Sequence, residues 1–159
     1  MSLSDPEVTR NEYASESRLL GRRSIYETSE GPSPLDVLWE RIAEAEPAQV
    51  LEVGPGPGEL SERMANDLGA EVVAIDISPR MVELTRERGI DAHVGDVQDL
   101  PFGDGSFDVV VAAWVLFHPQ DLDRAVSEIA RVLRTGGRLV AATNSEEHLR
   151  ELWELVGGR

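Results

Sequence analysis

Three glycines at alternate positions, Gly54, Gly56 and Gly58, directly follow the short apolar run Gln49 to Val53. The run suits a buried strand, and Leu60, Met64 and Leu68 beyond it have helical spacing. The glycines therefore sit on a strand-to-helix turn. Without Cβ atoms they let a ligand approach the backbone closely. The free N–H groups and positive dipole end of the following helix point to the same place. Pro55 and Pro57 fix φ and stiffen the loop.

The spacing narrows the ligand. A nicotinamide-dinucleotide fingerprint reads G-x-G-x-x-G/A. Here the frame from Gly54 ends on Glu59, and the frame from Gly56 ends on Ser61. Neither fits. The pattern is E-x-G-x-G-x-G, with Glu52 near the strand end, and no lysine follows to make a P-loop. A tight glycine turn without a ligand is the alternative at this point.

The remainder of the chain alternates. Residues 1–35 read as a polar N-terminal extension, with Tyr13 or Tyr26 available to close a lid over a ligand. Residues 36–159 read as one domain. A helix is expected over Pro34 to Ala45, with Ser33 as N-cap and Pro34 at its first position. Strands are expected at Gln49–Val53, Glu71–Ile75, Ala92–Val94, Phe107–Ala112 and Arg138–Thr143. Helices fall between them at about Gly58–Leu68, Ser78–Arg88 and Gln120–Leu133. The last of these should bury Leu122, Val126, Ile129 and Val132 or Leu133, and break at Gly136-Gly137. A terminal helix is expected over Glu146–Val156. Continuous apolar strands alternating with helices predict an α/β fold with a doubly wound, mainly parallel sheet.

Ligands of such sheets lie beyond the C-terminal strand ends. Strand two ends at Asp76, 18 residues after Gly58, where a carboxylate can accept two hydrogen bonds from a ribose diol. An N-cap or loop aspartate near Ser78 is the other reading. Strand three ends at Gly95-Asp96-Val97. Asp96 could accept from an exocyclic amine and the Val97 N–H could meet a ring nitrogen; otherwise Asp96 closes an Asx-turn. Ile77 and Val97 could sandwich a flat ring. Ala112 and Ala113 leave room at the tip of strand four, before Trp114 to Pro119.

Composition closes other routes. The chain has no cysteine and no lysine, which excludes disulfides, thiolate chemistry and Schiff-base catalysis. Thirty acids against 15 arginines leave a net charge of -15, so a nucleic-acid partner is not expected. With no secretory signal and no transmembrane run, the expected setting is the cytoplasm. His93, His118 and His148 lack metal-ligand spacing, so no metal is expected. His118 follows strand four, where a base could touch an acceptor hydroxyl; a structural loop histidine before Pro119 is the preferred reading.

Glu52 with Gly54, Gly56 and Gly58, then Asp76, Gly95-Asp96-Val97, Leu100-Pro101-Phe102, Phe107-Asp108-Val109-Val110 and the segment Arg131 to Leu139 occur in order. This series resembles the class I S-adenosylmethionine-dependent methyltransferases, in particular the small-molecule, ubiquinone-biosynthesis-like group. The resemblance implies S-adenosyl-L-methionine as cofactor, S-adenosyl-L-homocysteine as product and a small-molecule methyl acceptor. It implies that Glu52 and the backbone of Gly54, Pro55 and Gly56 hold the methionine part. Asp76 would bind the ribose, with Ile77 and Met81 packing near ribose and adenine. Asp96 and Val97 would read the adenine, and the Ala113 carbonyl would take the amino group. The family's sheet continues for two strands that this chain lacks, leaving strand five as an edge that the last helix, the N-terminal segment or a second copy would shield. A homodimer through that edge is the partner expectation. A non-catalytic or truncated cofactor-binding module, and less so a nicotinamide-dependent oxidoreductase, are the competing readings.

Overall fold

A computed structural model describes residues 33–143. The elements, in chain order, are α1 (Pro34–Ala43), β1 (Gln49–Val53), α2 (Glu59–Leu68), β2 (Glu71–Asp76), α3 (Pro79–Glu87), β3 (Asp91–Val94), β4 (Phe107–Ala113), α4 (Leu122–Val132) and β5 (Leu133–Ala142). Tyr13, Tyr26, Trp153 and the helix expected over Glu146–Val156 lie outside the described residues. The strands form one sheet in the order β3-β2-β1-β4-β5, with every neighbouring pair parallel. The strand order reverses direction between β1 and β4, which opens a crevice at their C-terminal tips.

Alternation along the strands explains the layers. On β1, Val50 belongs to one core, with Leu38 and Ile42 of α1, Met64 of α2 and Val82 of α3. Leu51 and Val53 belong to the other, with Ala125, Ile129 and Val132 of α4. Because side chains alternate across a strand, both faces must be apolar when both are covered. Glu52 shares the Val50 face by that alternation, and it is the one charged side chain on β1.

Local chemistry sets the ends. Gly58 precedes α2 and Gly69 follows it, both left-handed, with φ of 82° and 67°. The Ser78 hydroxyl accepts from the Met81 N–H and caps α3, and Pro79 opens that helix. Ser33 stands at the N-cap of α1, but its side chain makes no capping bond there, contrary to expectation. The stripe of α4 is also displaced. Leu122 and Val126 are 49% and 43% exposed, while Ala125, Ile129 and Val132 face the sheet. Helix α4 ends at Val132, ahead of the glycine pair, because Leu133 already pairs with Phe107. The β4–β5 register then shifts between Phe107 and Val109, and Gly136 takes φ 81° in the irregular stretch.

Asp108 ties the entry side of the sheet together. Its Oδ2 accepts the N–H groups of Ala48 (2.8 Å) and Gln49 (3.0 Å), and its Oδ1 lies 2.7 Å from the Arg134 guanidinium. Those N–H bonds hold its carboxyl below the usual aspartate range, with Arg134 adding to the effect. A carboxylate with a depressed pKa stabilises the fold above the ordinary aspartate pKa and loses that contribution as acid protonates it. Asp108→Ala should cost roughly 2–4 kcal/mol in denaturant unfolding, because two partly buried N–H groups lose their acceptor. Asp108→Asn, which keeps an oxygen, should cost less. Equal losses would show that packing, and not the acceptor, matters.

Candidate functional site

The glycine turn is built from both neighbouring strands and from α3. Gly54, Gly56 and Gly58 have φ of 68°, 56° and 82°, a region that glycine enters without penalty. The Gly54 N–H donates to Ile75 O of β2 at 2.8 Å. A Cβ on Gly54 would lie 2.7 Å from Val115 Cγ2, and one on Gly58 would lie 2.9 Å from the Thr85 Cα. The Thr85 hydroxyl donates to Gly56 O at 3.1 Å, and Arg88 Nε donates to Pro57 O at 2.7 Å. Arg88 also reaches Glu62 at 2.6 Å and Glu59 at 3.7 Å on α2. Thr85 of α3 and Arg88 just after that helix thus hold carbonyls of the turn.

Two carboxylates stand at the tips of adjacent strands. Glu52 is buried, and the Ser61 hydroxyl donates to it. Burial pushes its carboxyl up to about 7; the Ser61 bond opposes this, and the nearby Asp76 charge adds to it. Asp76 is half-buried and accepts from the Ser78 N–H at 2.8 Å. Burial lifts its carboxyl to about 6, against hydrogen bonds from the backbone of Ser78 and of Gly56. Asp76 thus makes the bond to the Ser78 N–H that the loop-aspartate reading expects.

The third tip is similarly ordered. Gly95 N–H donates to Asp76 O at 3.0 Å, and a Cβ there would lie 2.5 Å from Ile75 Cδ1. Asp96 closes an Asx-turn with the Gln98 N–H at 2.9 Å. Val97 is buried among Leu51, Val53 and Ile75. Ile77 is half-buried, and Met81 is fully buried on α3. Pro55 is buried, with its carbonyl accepting from the Gly58 N–H at 3.1 Å. Ala113 ends β4 opposite Ala142. Next comes Trp114, with φ 54°, an uncommon conformation for a bulky residue. Its N–H bonds Ala142 O at 2.7 Å. Val115, one residue on, is the side chain that lies over Gly54. His118 stacks obliquely on Phe117, ring centroids 4.2 Å apart, and its N–H bonds Val115 O at 3.0 Å. Trp39 packs on the α1 side of the core under the Arg63 guanidinium, 3.7 Å from the ring centroid.

Sequence reasoning brought Glu52, the glycines, Asp76 and Asp96 to one crevice. It missed Ser61, Thr85, Arg88, Gln98 and Val115. Thr85, Arg88 and Val115 act on the turn from elsewhere in the chain, so no short motif contains them; Gln98 stands two residues after Asp96. Ser61 alone carried a signal, standing one turn into the helix that follows the glycines. Among the described residues, no three histidines, aspartates or glutamates are grouped to hold a metal. Nor is any helix there long and apolar enough to cross a membrane.

Residues 51–141 match the family described as the methyltransferase domain, and the chain belongs to that family. A malonyl-[acyl-carrier protein] O-methyltransferase of Pseudescherichia vulneris is 34% identical over 129 residues, covering 78% of this chain and 51% of that protein. The chain spans about half the length of the curated relatives it matches. Among solved structures, the PH0226 protein of Pyrococcus horikoshii OT3 is 28% identical at a TM-score of 0.66, over 92% of this chain and 66% of that one. The [4+2]-cyclase SpnF is 34% identical at a TM-score of 0.60, over 65% of this chain and 42% of that one. The family and the fold imply S-adenosylmethionine as cofactor, and the five-stranded parallel core is the shared part. The ubiquinone-biosynthesis-like subgroup is not singled out by these relatives.

Two outcomes follow from this geometry. Gly58→Ala should destabilise the chain more than Gly69→Ala. Both residues are left-handed, but only Gly58 has Thr85 within reach, whereas Gly69 has nothing within 4 Å. Thermal unfolding should separate them by roughly 1–3 kcal/mol; equal losses would mean that φ alone decides. Glu52 titrates near 4.5 unfolded and about 7 folded, so the folded chain holds the extra proton between those values. Its contribution to stability is full below the unfolded value and is lost as the pH rises through the folded one. Unfolding free energy should therefore fall by an amount on the order of 1–3 kcal/mol across that window, and Glu52→Gln should flatten the fall. An unchanged slope in the variant would assign the effect elsewhere.

Proposed function

We propose that this chain is the cofactor-binding core of a methyltransferase that transfers a methyl group from S-adenosylmethionine to a small organic acceptor. One observation carries the reading: two desolvated carboxylates, Glu52 and Asp76, flank a turn whose alternate residues, Gly54, Gly56 and Gly58, leave its backbone open to a ligand. The donor set fits the cofactor. Glu52 offers an acceptor for an ammonium group, and the backbone of Gly54, Pro55 and Gly56 takes the methionine part. Asp76 keeps oxygen lone pairs for a ribose diol, with Ile77 and Met81 beside it. Asp96 and the Val97 N–H would read adenine, and the Ala113 carbonyl would accept from the amino group. Bound there, S-adenosylmethionine supplies an electrophilic methyl on a cationic sulfur, which an acceptor nucleophile takes by in-line displacement.

The protein's work is then to bind and orient. A cationic tail beside Glu52 favours its ionised form, so the carboxylate that burial keeps protonated near neutrality becomes charged as the site fills. Val115, which lies over Gly54, would close the glycine turn from one side. His118 follows on the same segment and is a candidate base for an acceptor hydroxyl. The first described relative acts, by its name, on a malonyl group carried on a protein, which makes a carboxylate or hydroxyl oxygen the first acceptor class to try.

A second reading is a cofactor-binding module without methyl transfer; the 34% identity to a protein named as a cyclase favours it. Calorimetry tests the binding. S-adenosylhomocysteine should bind and NAD should not, and Asp76→Ala should weaken binding about tenfold or more. Binding of NAD, or unchanged affinity in a folded Asp76→Ala, would refute the assignment. Methylated product from an oxygen acceptor would decide for the first reading over the second.

A further inference from the structure

We infer that Gln98 is a positioning residue that sets adenine specificity by fixing the carboxylate of Asp96; this rests on the adenine reading just proposed. The Gln98 N–H donates to Asp96 Oδ1 at 2.9 Å, and Gln98 Nε2 donates to Oδ1 at 3.1 Å and to Oδ2 at 3.0 Å. A carboxylate has about four lone-pair sites. Three bonds to the Asp96 carboxylate come from this single residue. Gln98 therefore decides which way the remaining acceptor direction points.

The Gln98 amide is itself held. Its Oε1 accepts the Asp121 N–H at 2.8 Å, and its backbone carbonyl accepts from Arg124 Nε at 2.7 Å. Asp121 caps α4, accepting from the Arg124 N–H at 2.9 Å. A donor on one side and an acceptor on the other leave the amide a single orientation, with Nε2 toward Asp96. A bare Asx-turn needs only the backbone N–H, so the side-chain fork is additional to it. Through Gln98 the adenine-reading tip is tied to the start of α4, which ends the 114–121 segment leaving β4.

The positioned direction matters because a fixed carboxylate accepts from an exocyclic amine, whereas a loose one bonds water equally well. A site built around such an acceptor disfavours a ligand that lacks the donor, since the half-buried carboxylate then loses one of its bonds.

The experiment measures binding of S-adenosylhomocysteine and of its 6-deamino analogue, which has purine in place of adenine. The full chain would be compared with Gln98→Ala and Gln98→Glu. The unmodified protein should prefer the amine-bearing ligand by roughly tenfold or more. Gln98→Ala should lower that preference to about twofold, with little change in affinity for the deamino analogue. Gln98→Glu keeps the shape but sets a carboxylate against Asp96, and should lose the preference at least as completely. A variant that weakens both ligands in parallel, keeping the preference, would show a merely structural role and overturn the inference. If Gln98→Ala does not fold, the isosteric Gln98→Glu gives the same readout. Equal binding of both ligands by the unmodified protein would instead refute Asp96 as the adenine reader, and the inference with it.

Discussion

Thr85 of α3 lies against the backbone of Gly58 at a separation that leaves no room for a Cβ, and its hydroxyl holds the Gly56 carbonyl. That contact fixes where α3 sits relative to the turn, and therefore where β2 delivers Asp76 and where β3 begins. The turn could not be closed with side chains on Gly54 or Gly58: one position meets Val115 and the other meets Thr85. Both contacts on the three-glycine loop come from residues later in the chain. The left-handed backbone of the loop is thus a packing requirement as well as a conformational one.

Around this contact the electrostatics are those of a site prepared for positive charge. Glu52 and Asp76 are both raised by burial, and neither has a guanidinium as a hydrogen-bonding partner. Elsewhere the chain does the opposite. Glu128, bonded by Arg131 and the Leu100 N–H, is held down to about 2, and Asp108 is also lowered. Glu128 and Asp108 are paired with arginine, whereas Glu52 and Asp76 have no arginine bonded to them among the described residues. Burying a carboxylate without a cationic partner costs stability, which is why such a contrast is a reason to look for a ligand there.

Much of this was legible in the amino-acid order because it is local. Apolar runs of strand length, glycines at alternate positions and an acid at the end of a strand each depend on a few adjacent residues. The α/β class and the cluster of Glu52, Asp76 and Asp96 follow from those runs and from the parallel-sheet rule. What was not legible depends on distant partners. The early end of α4 reflects Leu133 pairing with Phe107, which no helix signal near residue 133 reports. The buried stripe of α4 is centred on Ala125, whose small side chain was outweighed in the pattern by Leu122 and Val126. No local pattern marks Arg88 or Gln98, and only the fold shows that each bonds across 20 or more positions, to Pro57 and Asp121.

The exclusive use of arginine as the basic residue has a structural counterpart in the loops. Arg131 donates to the carbonyls of Leu100 and Phe102 and to the side chains of Asp104 and Glu128. Arg86 reaches Ala92 O, Arg88 reaches Pro57 O and Arg124 reaches Gln98 O. Irregular backbone ordinarily leaves carbonyls without partners; here planar, multi-pronged side chains from the helices act as staples. The connecting segments are thereby released from having to satisfy themselves. Their lengths and residues can drift over generations while the anchoring helices stay constant, and new contours around the crevice become accessible without loosening the frame beneath.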